Sequence, residues 1–362
     1  MTEQGASTAA RVGDASRRVL PTEEEARELI LGPDSLAWRS LGDPRYFMGA
    51  GYALLLQVAH PTVGSGVRDH SNFQADPWGR LMRTTDYLFL LVYGGAAARP
   101  MGRRLRELHK QIKGTNPDGS RYHALEPEAY AWVHATLIEA SFATGERFVG
   151  GLTAADCDRL YAEYMPLGRL VGIRPGDLPE TRAEFRAYVD EMIAERLERT
   201  ETVDLLLSLL DRPAAPGVPV IDQLWPLLRL APSRALRTAT LGLMPPVLRE
   251  RFGVAWSDAQ QAELRAFGAA SRALSPALPA RLRNVGPDYL RRRRCRSSGW
   301  LPCRSSVVAV ASPELLPDRL INVKRRAPAP RLRSRAARAR SPAGAGADTP
   351  GRRCEAVPGA PG

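Results

Sequence analysis

Cysteine is scarce in this 362-residue chain: there are four, and three of them, Cys295, Cys303 and Cys354, fall within residues 291–362. With only Cys157 elsewhere, neither a disulfide framework nor a thiolate zinc site can be drawn. Long apolar runs are missing too. MGAGYALLLQVA from Met48 and YLFLLVYGGAAA from Tyr87 are each about twelve residues, short of the roughly 20 that span a bilayer. The pair Arg17-Arg18 is followed by PTEEEAR and not by the apolar stretch of an export signal, so the expectation is a soluble, cytoplasmic protein with no transmembrane segment. No glycine-rich dinucleotide fingerprint follows a strand pattern, and sustained period-two alternation is scarce.

Negative charge is lacking at one end only. The formal charge of +12 invites a nucleic-acid reading, yet residues 291–362 hold 17 Arg or Lys against 4 Asp or Glu, and the remainder nets to −1. The body is therefore neutral, and a specific nucleic-acid partner is not expected, because nonspecific phosphate attraction needs only the charge of the tail.

Helix signals are abundant. Thr22 with Glu25, Thr153 with Asp156 and Ser257 with Gln260 read as helix-opening caps, and Gly32 reads as a stop. Further helices are expected from Asp43-Pro44 to His60, from Trp78 to Tyr93, from Met101 to Lys113 with Gly114 as its stop, through EPEAYAWVHATLIEASFATGERF, and through TRAEFRAYVDEMIAERLERT. At 44% apolar residues the chain can bury a substantial core. The fold class is all-α, a single multi-helix domain over residues 36–290. An N-terminal extension with a short helix precedes it (1–35), and an Arg/Pro/Ala/Gly-rich tail (291–362), expected to be disordered, follows.

All five histidines, His60, His70, His109, His123 and His134, precede residue 135. His109 has Leu105, Leu108 and Ile112 at helical spacings of three and four, so it belongs to the apolar side of its helix and points inward. His134 shares a stripe with Tyr130, Leu137, Ile138 and Ser141. A histidine on an apolar face is more often a hydrogen-bonded core residue than a ligand. His60 reads as a helix-end residue, and His70 and His123 as loop residues. In WGRLMRTTDYLFLLVYGG, however, Arg80, Arg83, Thr84 and Tyr87 form a polar stripe along a helix otherwise rich in Leu, Phe and Val. Burying an unpaired guanidinium costs several kcal/mol, so the stripe faces solvent, a carboxylate or a bound polar ligand.

QVAHPTVGSGVRDHSNFQADPWGRLMRTTDYLFLLVYGG, RLRELHKQIKGTNPDGSRYHALEPEAYAWVHATL, LVGIRPGDLPETRAEFRAY and LMPPVLRERFGVAWSDAQQ, in that order, resemble the oxygenase family that includes the fungal MpaB oxygenase and the catalytic domain of latex-clearing protein, the rubber oxygenase. The resemblance implies a globin-like helical core holding haem b, with dioxygen and an apolar, olefinic or isoprenoid small molecule as its partners. By position it makes His109 the axial iron ligand, with Arg106 a nearby cation for the cofactor. Arg80, Arg83 and Thr84 become distal residues, Arg80 and Thr84 as donors toward dioxygen at the iron. Arg83 stands where latex-clearing protein has lysine. A guanidinium does not deprotonate to bind iron, which implies an open or water-bound sixth position. His134 stands either as a nearby donor or acid or as core. No Cys-x-x-Cys-His occurs, so the haem would be non-covalent. Two other readings remain open: a non-haem metal oxygenase using His60, His109 and His134, and a helical protein that binds haem or a lipophilic ligand without turnover.

Overall fold

Thr22 accepts a hydrogen bond from the Glu25 backbone while the Glu25 carboxylate accepts from the Thr22 N–H, and this reciprocal cap opens α1 (Glu23–Glu28). Ser35 caps α2 (Leu36–Gly42). Asp43 caps a 3₁₀ segment, Pro44–Gly49, which runs directly into α3 (Ala50–Ala59). His60 ends α3, and Pro61, pre-set for a first helical position, begins α4 (Pro61–His70). Asp76 and Pro77 open α5 (Pro77–Tyr93), which a short link containing the 3₁₀ turn Gly95–Ala97 joins to α6 (Ala98–His109). A small antiparallel hairpin follows, β1 (Lys113–Thr115) with β2 (Arg121–His123), in the register Lys113↔His123, Gly114↔Tyr122 and Thr115↔Arg121.

Beyond the hairpin come α7 (Pro127–Thr144), extended by a π turn at Gly145–Val149, and α8 (Ala154–Val171). Next is α9 (Arg182–Glu191), with a π turn at Met192–Arg196. The series closes with α10 (Glu201–Asp211), α11 (Pro219–Leu228), α12 (Leu230–Leu243), α13 (Pro246–Arg251), α14 (Asp258–Leu274) and α15 (Ala280–Arg283). This computed structural model describes residues 19–215, 219–286 and 288–289, all within one compact unit. Residues 1–18 and the basic tail from 291 lie outside the described residues.

The all-α expectation is met: the described residues form fifteen α-helices and one two-stranded sheet. The capping boxes at Thr22, Thr153 and Ser257 are all present. No described helix is long and apolar enough to cross a membrane.

Local differences from expectation have identifiable causes. The helix expected over 101–113 begins earlier, at Ala98, and stops at His109. Gly114 does not stop it; it pairs with Tyr122 across the hairpin, and a Cβ at Gly114 would come within 2.8 Å of that ring. The glycine thus makes room for the Tyr122 ring. His70 is the last residue of α4 and His123 lies in β2, so neither is a loop residue.

Helix α3 is the central rod of the core, with Tyr52, Leu55, Leu56 and Val58 fully enclosed. Helix α7 packs along it, and the Trp132 indole N–H donates to the Leu56 carbonyl at 2.9 Å. Helix α6 is held between α5 and α8. Its approach to α8 depends on Gly102, where a Cβ would overlap the Leu170 carbonyl. The chain returns to α5 at its far end: Val285 N–H donates to the Gly42 carbonyl at 2.8 Å, and the Tyr289 ring packs edge-on against Phe89 at 4.9 Å while its hydroxyl donates to Asp86.

Candidate functional site

Because α5 and α6 are joined by a short link and pack on one another, the start of α5 lies beside the end of α6. This hairpin brings Arg80 and His109 together, near enough for the guanidinium charge to act on the imidazole. His109 Nδ1 donates to the Leu105 carbonyl one turn earlier, at 2.7 Å. A carbonyl can only accept, so the proton of the neutral ring sits on Nδ1 and the lone pair on Nε2. Burial pushes the imidazole pKa below its ordinary value, the Leu105 bond opposes the shift, and the charges of Arg80 and Arg106 add to it. The result is a neutral imidazole of fixed tautomer, enclosed on most sides but not sealed from solvent.

Tyr130 of α7 braces this ring. Its aromatic face meets His109 edge-on at 5.6 Å, and its hydroxyl donates to the Val171 carbonyl at 2.8 Å. Arg106 lies over the same tyrosine ring, 5.9 Å from its centroid. Helical spacing places Tyr130 only as a stripe neighbour of His134; what it braces is set by the crossing of α6 and α7.

The expected distal residues divide. Arg80 is enclosed, which lowers its pKa, and Arg83 nearby adds to the shift. Its guanidinium donates to the Thr84 hydroxyl, which in turn donates to the Arg80 carbonyl at 3.0 Å. Among the described residues no carboxylate pairs with Arg80. Arg83 is engaged elsewhere, donating to Asp76 at 3.0 Å and to Asn72 at 2.9 Å around the helix start. Two residues of the stripe thus form a bonded unit, its guanidinium charge felt at His109, and the third fastens the α5 N-terminus.

His134 lies deeper, between α7 and α8. Its Nε2–H donates to the Tyr164 carbonyl at 2.9 Å, and Gly168 packs against it. Burial brings its pKa down to about 4, an effect the Tyr164 bond only partly offsets. It is therefore neutral at pH 7. In the unfolded chain a histidine titrates near 6.5, so the unfolded state takes up the proton first as pH falls. Stability should be intact above pH 6.5 and decline between 6.5 and about 4, by roughly 3 kcal/mol from this residue alone. His134→Gln, which keeps a neutral donor, should lose that share of the pH dependence; parallel urea-denaturation profiles for parent and variant would refute it.

His60 is the third buried imidazole. Its Nε2 lies 3.3 Å from Glu128, and its Nδ1 is buried with no partner. Among the described residues no three His, Cys, Asp or Glu side chains gather closely enough to hold a metal ion, so His60, His109 and His134 do not form a shared ligand set.

Fold and site together define a helical protein in which a neutral imidazole of fixed tautomer and a half-buried arginine lie near one another on adjacent helices. Residues 38–273 match the family described as ER-bound oxygenase mpaB/B'/Rubber oxygenase, catalytic domain, and the chain belongs to that family. It is also similar to two proteins named as uncharacterized, Mb2261 of Mycobacterium bovis and Rv2237 of Mycobacterium tuberculosis. Each is 27% identical over 222 residues, covering 58% of this chain and 80% of the relative. No solved structure matches.

Proposed function

We propose that this oxygenase-family protein is a haem b-dependent oxygenase of an apolar, olefinic or isoprenoid substrate, with His109 as the residue that would hold the iron. The observation that carries the reading is the His109 imidazole itself: Nδ1–H tied to the Leu105 carbonyl, Nε2 left with its lone pair, and burial favouring the neutral form. Histidines that ligate metals commonly have their second nitrogen tied in this way. The donor set fits haem better than a bare ion. A porphyrin supplies four nitrogens and needs one from the protein, whereas a non-haem site needs a cluster that the described residues do not assemble.

When bound, haem supplies the iron centre at which dioxygen is activated for attack on a carbon–carbon double bond. The protein's own part is positioning and charge. Leu105 and Tyr130 fix the plane and tautomer of His109. Arg106, one turn before it, offers a cation toward the cofactor's carboxylates. Thr84 holds the Arg80 guanidinium, whose N–H donors would be available to stabilise negative charge on an oxygen ligand. Arg83 secures the helix that carries both. His134 braces α7 against α8.

Substrate-dependent oxygen uptake by the haem-loaded protein, with an olefinic isoprenoid, tests the reading. Arg80→Ala and Thr84→Val should keep the haem spectrum while lowering turnover on the order of 10²-fold. Turnover equal to the parent in both variants would transfer the donor role away from α5, with His134 the next residue to test. A pigmented protein that consumes no oxygen with any such substrate would make it a binder and not an enzyme.

A further inference from the structure

The stripe on α5 has one more polar member. Tyr87 lies one turn beyond Thr84 and two turns beyond Arg80, and its hydroxyl is buried with no hydrogen-bond partner. Buried phenol groups almost always find a partner, so an orphan inside a candidate site calls for a ligand atom. The hydroxyl stays protonated, because burial raises its pKa, and it can act as a donor. The charges of Arg104, on the facing helix, and of Arg80 both reach it. The adjacent carboxylate, Asp86, accepts from Tyr289. What the hydroxyl awaits is an acceptor, and its surroundings favour an anionic one.

Position narrows the choice. Seven residues of helix place Tyr87 about 10 Å along the axis from Arg80. Arg80 is the residue beside His109, so Tyr87 addresses the rim of a disc held by His109 and not its centre. The anionic groups of haem are the two propionate carboxylates at its rim.

We propose that the Tyr87 hydroxyl is a cofactor-binding donor that hydrogen-bonds a haem propionate. The assignment rests on the haem reading above and adds to it a residue of the polar stripe to which the family resemblance gives no role.

The test compares parent and Tyr87→Phe for binding of haem b and of haem dimethyl ester, whose propionates are esterified, by following the Soret band. Tyr87→Phe should weaken haem b binding about tenfold, as expected for loss of one charge-assisted hydrogen bond, and leave the ester within a factor of about two. The haem-free variant should melt at the same temperature as the parent or higher, since an unpaired buried hydroxyl has been removed. Equal weakening for both porphyrins, or for neither, overturns the propionate contact while leaving the haem reading intact. A lowered melting temperature of the haem-free variant would mark the hydroxyl as structural and also overturn it. If the parent binds neither porphyrin, the haem reading fails and this assignment falls with it.

Discussion

His109→Ala should purify with little or no bound haem and without the Soret band of the parent, a loss of affinity on the order of 10²-fold or more. The expectation follows from the arrangement at the end of α6. His109 lies beside Arg80 with Nδ1–H held by Leu105 and Nε2 left with its lone pair, whereas His60 Nε2 lies against Glu128 and His134 Nε2 donates to the Tyr164 carbonyl in the core. No described cluster could take over as a substitute ligand set. Arg106→Ala should have a smaller effect, because it removes a charge while leaving the axial nitrogen in place. His109→Gly offers a control for misfolding, since free imidazole added to the folded protein should restore part of the spectrum. Full haem retention by His109→Ala, with an unchanged spectrum, would end the assignment.

The second large effect concerns where the folded unit stops. The family match ends at residue 273, which invites a truncation there, but the structure continues to bury aromatic surface beyond it. Tyr289 packs on Phe89 and bonds Asp86, Val285 bonds Gly42, and Gly286 sits against the Tyr93 ring. A chain of residues 1–274 should lose about 3–5 kcal/mol and melt roughly 10 °C lower, because an aromatic contact and two buried hydrogen bonds are removed together. A chain of residues 1–290 should melt with the full protein and hold as much haem, while its isoelectric point falls to neutral or mildly acidic, since the cation surplus resides beyond it. Differential scanning calorimetry of the three lengths decides the matter. A large loss in the 1–290 form would show that the basic tail packs on the domain.

The helix starts were readable because their signals are local: Thr22 with Glu25, Thr153 with Asp156, and Ser257 with Gln260 are each three residues apart. The inward direction of His109 was readable for the same reason, from leucines one turn away. The short hairpin after it was not. Three residues per strand give too little alternation, and Gly114 has the same signature whether it ends a helix or makes room for a cross-strand tyrosine. The polar stripe showed that Arg80, Arg83 and Thr84 share a face, but only the fold reveals that Asn72 and Asp76 claim Arg83. Tyr130 and the orphaned Tyr87 hydroxyl depend on how α5, α6 and α7 cross, which no window of sequence encodes.

The link between α5 and α6, with Gly95 at φ 56°, makes the site a matter of phase as well as composition. Each residue added to a helix turns everything beyond it by about 100°. One alanine inserted in α6 between Gly102 and His109 would keep every functional side chain in the sequence and still swing the imidazole away from Arg80. Among designed variants, then, a count of the right residues does not assemble the site; the eleven-residue stretch from Ala98 that ends just before His109 has to keep its length.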